Sequence, residues 1–201
     1  MRKFFGTAAI LALAFSAAAL PAQAQDNKPM GEKAEQKDMM KKEEMKDSGV
    51  RASIQFQIDQ AREKLLALAE AMPADKFAWR PGQGVRSVGE VFAHVSGANY
   101  FLPTFWGAKI PDGVDPRGFE KEGGDKAKAV DTLKKSFDYL KQQIQAVPEA
   151  DLDKKIKLFG HDATVRDAMM VLASHAHEHL GQSIAYARMY RVTPPWSAQG
   201  Q

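Results

Sequence analysis

Four long stretches of the sequence carry apolar side chains at the spacing of an α-helix, and this pattern restricts the fold more than any other feature. It predicts four helices, at about residues 52–72, 87–102, 126–147 and 164–190. The first three are closed by prolines, which cannot continue a helix: Pro73, Pro103 and Pro148. Ser87 and Glu90 have the spacing of a capping box at the start of the second. No segment alternates convincingly as a β-strand would, so we expect an all-α fold, a four-helix bundle.

The connection between the second and third predicted helices is unusually long. Residues 107–124 are rich in glycine and proline and are more than an antiparallel helix pair needs. We therefore expect a crossover loop and a helix order other than simple up-down-up-down.

The N-terminal fifty residues differ in composition from the rest of the chain. Residues 1–24 have a basic start, an apolar run and small residues before position 25, which predicts a cleaved signal peptide and a periplasmic or secreted protein. Residues 25–50 are charged and rich in methionine and lack aromatic residues, so we expect a disordered tether. Residues 51–201 then form one domain, and no stable membrane anchor is expected after signal cleavage.

Charge and cysteine content exclude several classes of function. The net charge is +3, but Arg2 and Lys3 lie in the predicted signal peptide, and the rest of the chain is almost neutral. A nucleic-acid partner is therefore not expected. The sequence has no cysteine, which excludes disulfides, thiolate metal sites and a cysteine nucleophile. A metal ion would have to be held through nitrogen or oxygen.

Histidines on two predicted helices form a candidate metal site. His175 and His179 are four residues apart on the fourth helix, continue its apolar stripe and should share the inward face. His94 lies in an apolar run of the second helix, whereas His177 should face solvent. Three inward imidazoles would leave a fourth coordination position for water or substrate, as in catalytic zinc sites.

Other interpretations of these histidines stay open at this point. A single core histidine is often a hydrogen-bonded packing residue, and histidine pairs at this spacing also occur on solvated faces. A di-iron bundle would need Glu-x-x-His motifs, and the fourth helix has none.

Four further side chains lie near the histidines by helical spacing and are candidates for acid-base or orienting roles: Glu90, Tyr100, Gln182 and Tyr186. Each could instead be a cap, a packing residue or a hydrogen-bond partner of a ligand. An aromatic cluster at the end of the second helix could form core, or the wall of a ligand pocket above the metal: Tyr100, Phe101, Phe105 and Trp106.

Several motifs together resemble the DinB/YfiT-like superfamily. They are Trp79-Arg80-Pro81, the Ser87-Val88-Gly89-Glu90 box leading to His94, the element His175-x-x-x-His179-x-Gly181-Gln182, then Arg188 and Pro194-Pro195. The resemblance covers nearly all of residues 51–201. It implies an up-down-down-up four-helix bundle that binds a divalent metal through His94, His175 and His179.

The resemblance also bears on function. Characterised relatives include thiol transferases, an isomerase and hydrolase-like proteins, so we expect a metal-dependent transferase or hydrolase acting on a small molecule. The expected ion is zinc or nickel, with iron or manganese as alternatives. A non-catalytic periplasmic module that binds a metal or small ligand is the competing hypothesis. Such bundles often pair, so a homodimer is a further expectation.

Overall fold

The computed structural model describes residues 49–200, with side chains as far as Ser197. It contains four α-helices, which we number α1 Val50–Ala71, α2 Val88–Phe101, α3 Lys126–Gln145 and α4 Val165–Met189. The predicted signal peptide at 1–24 and nearly all of the predicted tether at 25–50 lie outside the described residues. In the part of the chain that is described, no helix is both long and apolar enough to cross a membrane.

The helix boundaries follow the capping and proline signals of the sequence. Ser87 and Glu90 form a capping box at α2, in which each residue bonds the backbone N–H of the other. Thr164 and Asp167 do the same for α4. These boxes satisfy backbone donors that the first turn of a helix leaves free. The observed bounds lie within about two residues of the predicted ones, as fraying helix ends allow.

Contacts at the helix ends show that α1 and α3 are antiparallel. Arg51 Nη1 donates to Val147 O at 2.7 Å, which joins the start of α1 to the end of α3. Lys126 Nζ donates to Glu70 O at 2.7 Å, which joins their opposite ends.

Helix α2 runs alongside α3 and opposite to α4. Its end lies beside the middle of α3, where Asn99 Nδ2 donates to Ser136 Oγ at 3.1 Å. Its start lies beside the end of α4, where Tyr186 Oη donates to Arg86 O at 3.3 Å. Helix α1 packs on α3 and α4. The order is therefore up-down-down-up, which confirms the expected all-α bundle and its crossover.

One apolar core fills the bundle, and every helix contributes to it. Its largest fully buried side chains are Phe77, Phe92, Phe137, Ile58, Leu65, Leu68, Met72, Leu133, Leu140, Ile144, Leu152 and Met169. The predicted apolar faces of α1 and α3 are the faces that pack inward. Burial of these faces supplies the main stabilisation of the fold.

A short antiparallel hairpin precedes α4, and the sequence pattern did not predict it. Strands β1 Lys155–Leu158 and β2 His161–Thr164 pair through a two-residue turn. Phe159 and Gly160 occupy the turn with φ of 51° and 87°, the left-handed values of a type I′ hairpin. Each strand has only four residues, and several of them are charged. The alternation of apolar and polar side chains that marks a strand is therefore not visible in the sequence.

The crossover between α2 and α3 packs closely on α2. It contains two 3₁₀ segments, Leu102–Trp106 and Phe119–Glu122. The backbone at Gly123 touches the first turn of α2 at Gly89, where a Cβ atom would overlap the carbonyl oxygen of Gly123. Two glycines thus let the second 3₁₀ segment lie against the helix. This contact brings the long loop to the candidate site.

Candidate metal centre

Three histidines from two helices meet near the middle of the bundle. His94 comes from α2, and His175 and His179 come from successive turns of α4. One ring nitrogen from each lies within 4.8 Å of the other two. The Nε2 atoms of His94 and His175 are 3.1 Å apart. Among the described residues, the group of potential ligand atoms that lie this close together contains these three side chains and no fourth.

The outer nitrogens of two of these rings have fixed partners. His94 Nδ1 lies 2.9 Å from Glu120 Oε1, and His179 Nδ1 lies 2.8 Å from Gln182 Oε1. Both partners are acceptors, so each imidazole donates from Nδ1 and, when neutral, keeps its lone pair on Nε2. Histidine ligands of metals are commonly oriented in this way by a carboxylate or carbonyl oxygen.

Arg86 links Glu120, the partner of His94, to Gln182, the partner of His179. Its Nε donates to Glu120 Oε2 at 3.0 Å, and its carbonyl oxygen accepts from Tyr186 Oη at 3.3 Å. Gln182 Nε2 in turn donates to Tyr186 Oη at 3.0 Å. A continuous chain of hydrogen bonds therefore runs from His94 through Arg86 to His179. It joins the orientation of two rings that lie on different helices.

The third ring differs from the other two. His175 Nδ1 is buried and has no hydrogen-bond partner among the described residues. Its other nitrogen, Nε2, faces His94. A buried polar atom without a partner is costly in a purely structural cluster. His175 therefore differs from His94 and His179 in having no side chain that orients its ring through Nδ1.

Burial disfavours the charged form of two of the three rings. Burial, followed by the charges of His179, His94 and Arg86, lowers the pKa of His175 to about 3. Burial also lowers the pKa of His94, with the bond to Glu120 acting in the opposite direction. At neutral pH both rings are therefore neutral and can offer lone pairs. Imidazole nitrogens are common ligands of zinc-type ions.

Glu120 remains ionised beside this cluster. Partial burial, the largest single effect, would raise the pKa of its carboxyl group. The hydrogen bonds from Arg86 and His94 and their charges outweigh it, so the pKa of Glu120 lies below its ordinary value. An ionised carboxylate is a strong acceptor for His94 Nδ1–H.

A pocket of about 790 Å³ opens from the histidines. His94 and His175 bound it on one side, and its volume lies in the range of small-molecule sites. The remaining lining residues come from the end of α2, the crossover, the hairpin tip and α4: Gly97, Ala98, Phe101, Leu102, Thr104, Ile110, Asp115, Pro116, Arg117, Glu120, Phe159 and Val171. The histidine cluster is thus open on the side of this pocket.

The sequence profile of the DinB superfamily matches residues 57–183, which are more than half of the chain and include all three histidines. The chain belongs to the DinB superfamily. No curated protein matches it in sequence.

A solved DinB-like protein shares the fold. A DinB-like protein from Bacillus cereus ATCC 10987 aligns with a TM-score of 0.57 at 18% identity, over 67% of this chain and 89% of its own. A DinB-like protein from Bacillus subtilis aligns with a TM-score of 0.47 at 19% identity, over 70% of this chain and 94% of its own. At such identity the first match supports the DinB fold alone. DinB membership and the three-histidine cluster are together compatible with metal binding.

The candidate acid-base residues of this DinB chain occupy different places. Gln182 and Tyr186 lie in the hydrogen-bonded chain behind His179. Glu90 has one oxygen bonded to Ser87 N and the other to Arg80 Nη2 at 2.8 Å, so both are occupied by structural partners. Tyr100 is buried against Tyr139 and Phe119 rather than beside the histidines.

The other histidines stay away from the cluster. His177 is exposed, as predicted, and its Nδ1 bonds Ala173 O at 2.9 Å within its own helix. His161 is exposed on the hairpin. Of the aromatic cluster, Phe101 lines the pocket, and Phe105 supports it with ring centroids 5.4 Å apart.

Sequence reasoning missed Glu120 and Arg86. Neither belongs to a recognisable motif, and Glu120 is 26 residues from the histidine it contacts. The available signal was the length of the crossover, because long loops in compact domains often carry functional residues.

Proposed function

We propose that this DinB-superfamily chain binds one divalent metal ion through His94, His175 and His179 and acts as a metal-dependent transferase or hydrolase on a small molecule. The observation that carries the proposal is the convergence of three imidazole nitrogens within 4.8 Å, with the Nδ1 atoms of His94 and His179 hydrogen-bonded to Glu120 and Gln182. Zinc or nickel suits this donor set, with iron or manganese as alternatives.

Each part of the site has a physical role in this proposal. The ion, when bound, supplies a Lewis acid that polarises a substrate group or lowers the pKa of one. Glu120 and Gln182 hold the rings of His94 and His179 in the ligating orientation. The absence of a fourth protein donor in the described cluster leaves one position facing the pocket for substrate. Thiol transfer and hydrolysis of a small molecule both use such a position.

Metal analysis of the purified chain tests the ligand set. The wild type should hold about one equivalent of metal, and His94→Ala, His175→Ala and His179→Ala should each lose most of it. His177→Ala is the matched control, because it removes an exposed imidazole from the same helix. Full metal content in the three cluster variants would overturn the proposal.

An activity screen separates catalysis from simple binding. The metal-loaded chain is assayed with thiol acceptors and with panels of esters and amides. Turnover that His179→Ala abolishes and His177→Ala retains supports the enzyme. Silence in every panel with the site fully loaded would reject catalysis and leave the non-catalytic binding module.

Export to the periplasm or medium is part of the proposal and rests on residues 1–24. Expression of the full chain in a bacterial host followed by fractionation and N-terminal sequencing tests it. A mature chain beginning at Gln25 outside the cytoplasm is expected, and an uncleaved cytoplasmic chain would reject it.

A further inference from the structure

The rim of the pocket beside the histidines is unusually apolar for a surface. Three of its lining residues are large hydrophobic side chains left exposed, Phe101 at 40%, Phe159 at 60% and Val171 at 37%. Phe105 joins two of them, with ring centroids 5.4 Å from Phe101 and 5.0 Å from Phe159. A contiguous exposed apolar patch on a soluble domain usually marks a binding surface.

Phe159 occupies a position that its own backbone disfavours. It has φ of 51° at the tip of the hairpin, where Asn, Asp or Gly would be relaxed. The strain is not offset by deep burial, because most of this side chain is exposed. Strained residues that face a pocket commonly serve the ligand rather than the fold. The hairpin thus presents an aromatic ring to the pocket at some cost to stability.

Three charged side chains line the pocket, Asp115, Arg117 and Glu120. Glu120 is paired with Arg86 and His94, and Asp115 accepts the backbone N–H of Arg117 at 3.1 Å. Arg117 lines the pocket, is exposed, and makes no ion pair or side-chain hydrogen bond with the described residues, so its guanidinium is available to a ligand. A divalent ion at the three histidines would add positive charge at the inner end of the pocket.

We propose that this pocket binds small aromatic anions, with the ring against Phe101 and Phe159 and the anionic group toward Arg117 and the histidines. The attraction of the anionic group to the histidine end of the pocket rests on the proposed metal site. The aromatic wall and Arg117 do not depend on it, so the metal-free chain should bind the same ligands more weakly. This assigns a substrate class to the transferase or hydrolase proposed above.

Calorimetric titration with three probes tests the assignment, using both metal-free and zinc-loaded chain. 2-Naphthoate carries a ring and an anion, 2-naphthylmethylammonium the same ring and a cation, and propionate an anion without the ring. Only 2-naphthoate should bind well, at one equivalent. If 2-naphthylmethylammonium binds as tightly as 2-naphthoate, the pocket does not require an anion. If propionate binds as tightly as 2-naphthoate, the pocket does not require a ring. Either result would overturn the proposed class of ligand.

Two variants locate the binding. Phe159→Asn and Arg117→Gln should each weaken 2-naphthoate binding about tenfold, through loss of ring contact and of a charge-assisted bond. Because asparagine tolerates the left-handed turn, Phe159→Asn should not lower thermal stability. Phe56→Asn is the control, since Phe56 is 59% exposed on α1 and does not line the pocket.

The outcomes for the two proposals are distinguishable. If zinc does not bind but 2-naphthoate does, and Phe159→Asn weakens that binding, the metal site is rejected and the aromatic-anion pocket is supported. Zinc bound through the histidines without any 2-naphthoate binding, or binding that both variants leave unchanged, overturns the pocket assignment.

Discussion

Removal of the Glu120 carboxylate should weaken metal binding without unfolding the bundle. Glu120 accepts from His94 Nδ1 at 2.9 Å and from Arg86 Nε at 3.0 Å. A hydrogen bond to a charged group contributes about 1.5–3 kcal/mol. The Glu120 side chain is 39% exposed, so solvent screening places the His94 bond at the lower end of that range.

A loss of about 1.4 kcal/mol corresponds to about a tenfold change in a dissociation constant. This agrees with the effect of about 10–100-fold that hydrogen-bond partners of metal ligands generally have. Glu120→Ala should therefore bind zinc about tenfold more weakly than the wild type. Glu120→Gln should show a smaller loss, because its amide oxygen can still accept from His94 but carries no charge.

The assay is competition for zinc between the chain and a chromophoric chelator, with thermal melts of the metal-free proteins alongside. Glu122→Ala is the matched control, because Glu122 lies in the same 3₁₀ segment, is 61% exposed and pairs only loosely with Lys128 at 3.7 Å. Its zinc affinity should equal that of the wild type. If Glu120→Ala binds zinc as tightly as the wild type while remaining folded, the carboxylate does not orient His94 and the reasoning fails.

Two predictions concern stability. At the start of α4, the bonds from the Thr164 side chain and backbone lower the pKa of Asp167 below its ordinary 3.8. Its contribution to stability is thus present above the unfolded-state pKa and lost as pH falls through the folded-state pKa. Asp167→Asn should have a lower urea midpoint than the wild type at pH 7, and the difference should disappear at strongly acidic pH; a constant difference would contradict the cap. At the loop contact, a Cβ at Gly89 would overlap Gly123 O, so Gly89→Ala should lower the free energy of unfolding by about 1–3 kcal/mol in urea titration. Gly181→Ala, where a Cβ meets open space within a helix, should instead raise it by about 0.5–1 kcal/mol, and equal losses in both would contradict the close approach.

Local sequence signals determined the helices and half of the candidate site. Caps such as Ser87 with Glu90, and prolines such as Pro73, act within a few residues of the boundaries they set, so the sequence displays them directly. The spacing of His175 and His179 likewise fixes their shared face, because helix geometry is local.

The hairpin shows where local signals fail. Strand pairing is a contact between segments, and β1 and β2 are each only four residues long. A type I′ hairpin usually has asparagine or aspartate before its glycine, but this turn has Phe159 at that position. Gly160 is therefore the one residue of the turn that signals a hairpin in the sequence.

What the sequence by itself predicted is therefore the four-helix class, the capped helix ends and three inward histidines, His94, His175 and His179. Only the tertiary structure decided that α2 crosses α4 at His94, that the crossover returns Glu120 to that ring, and that Arg86 links it to the bonds behind His179. The physical reason is range. Helix formation depends on neighbours within one or two turns, whereas a site between helices depends on packing that joins residues 26 to 100 positions apart.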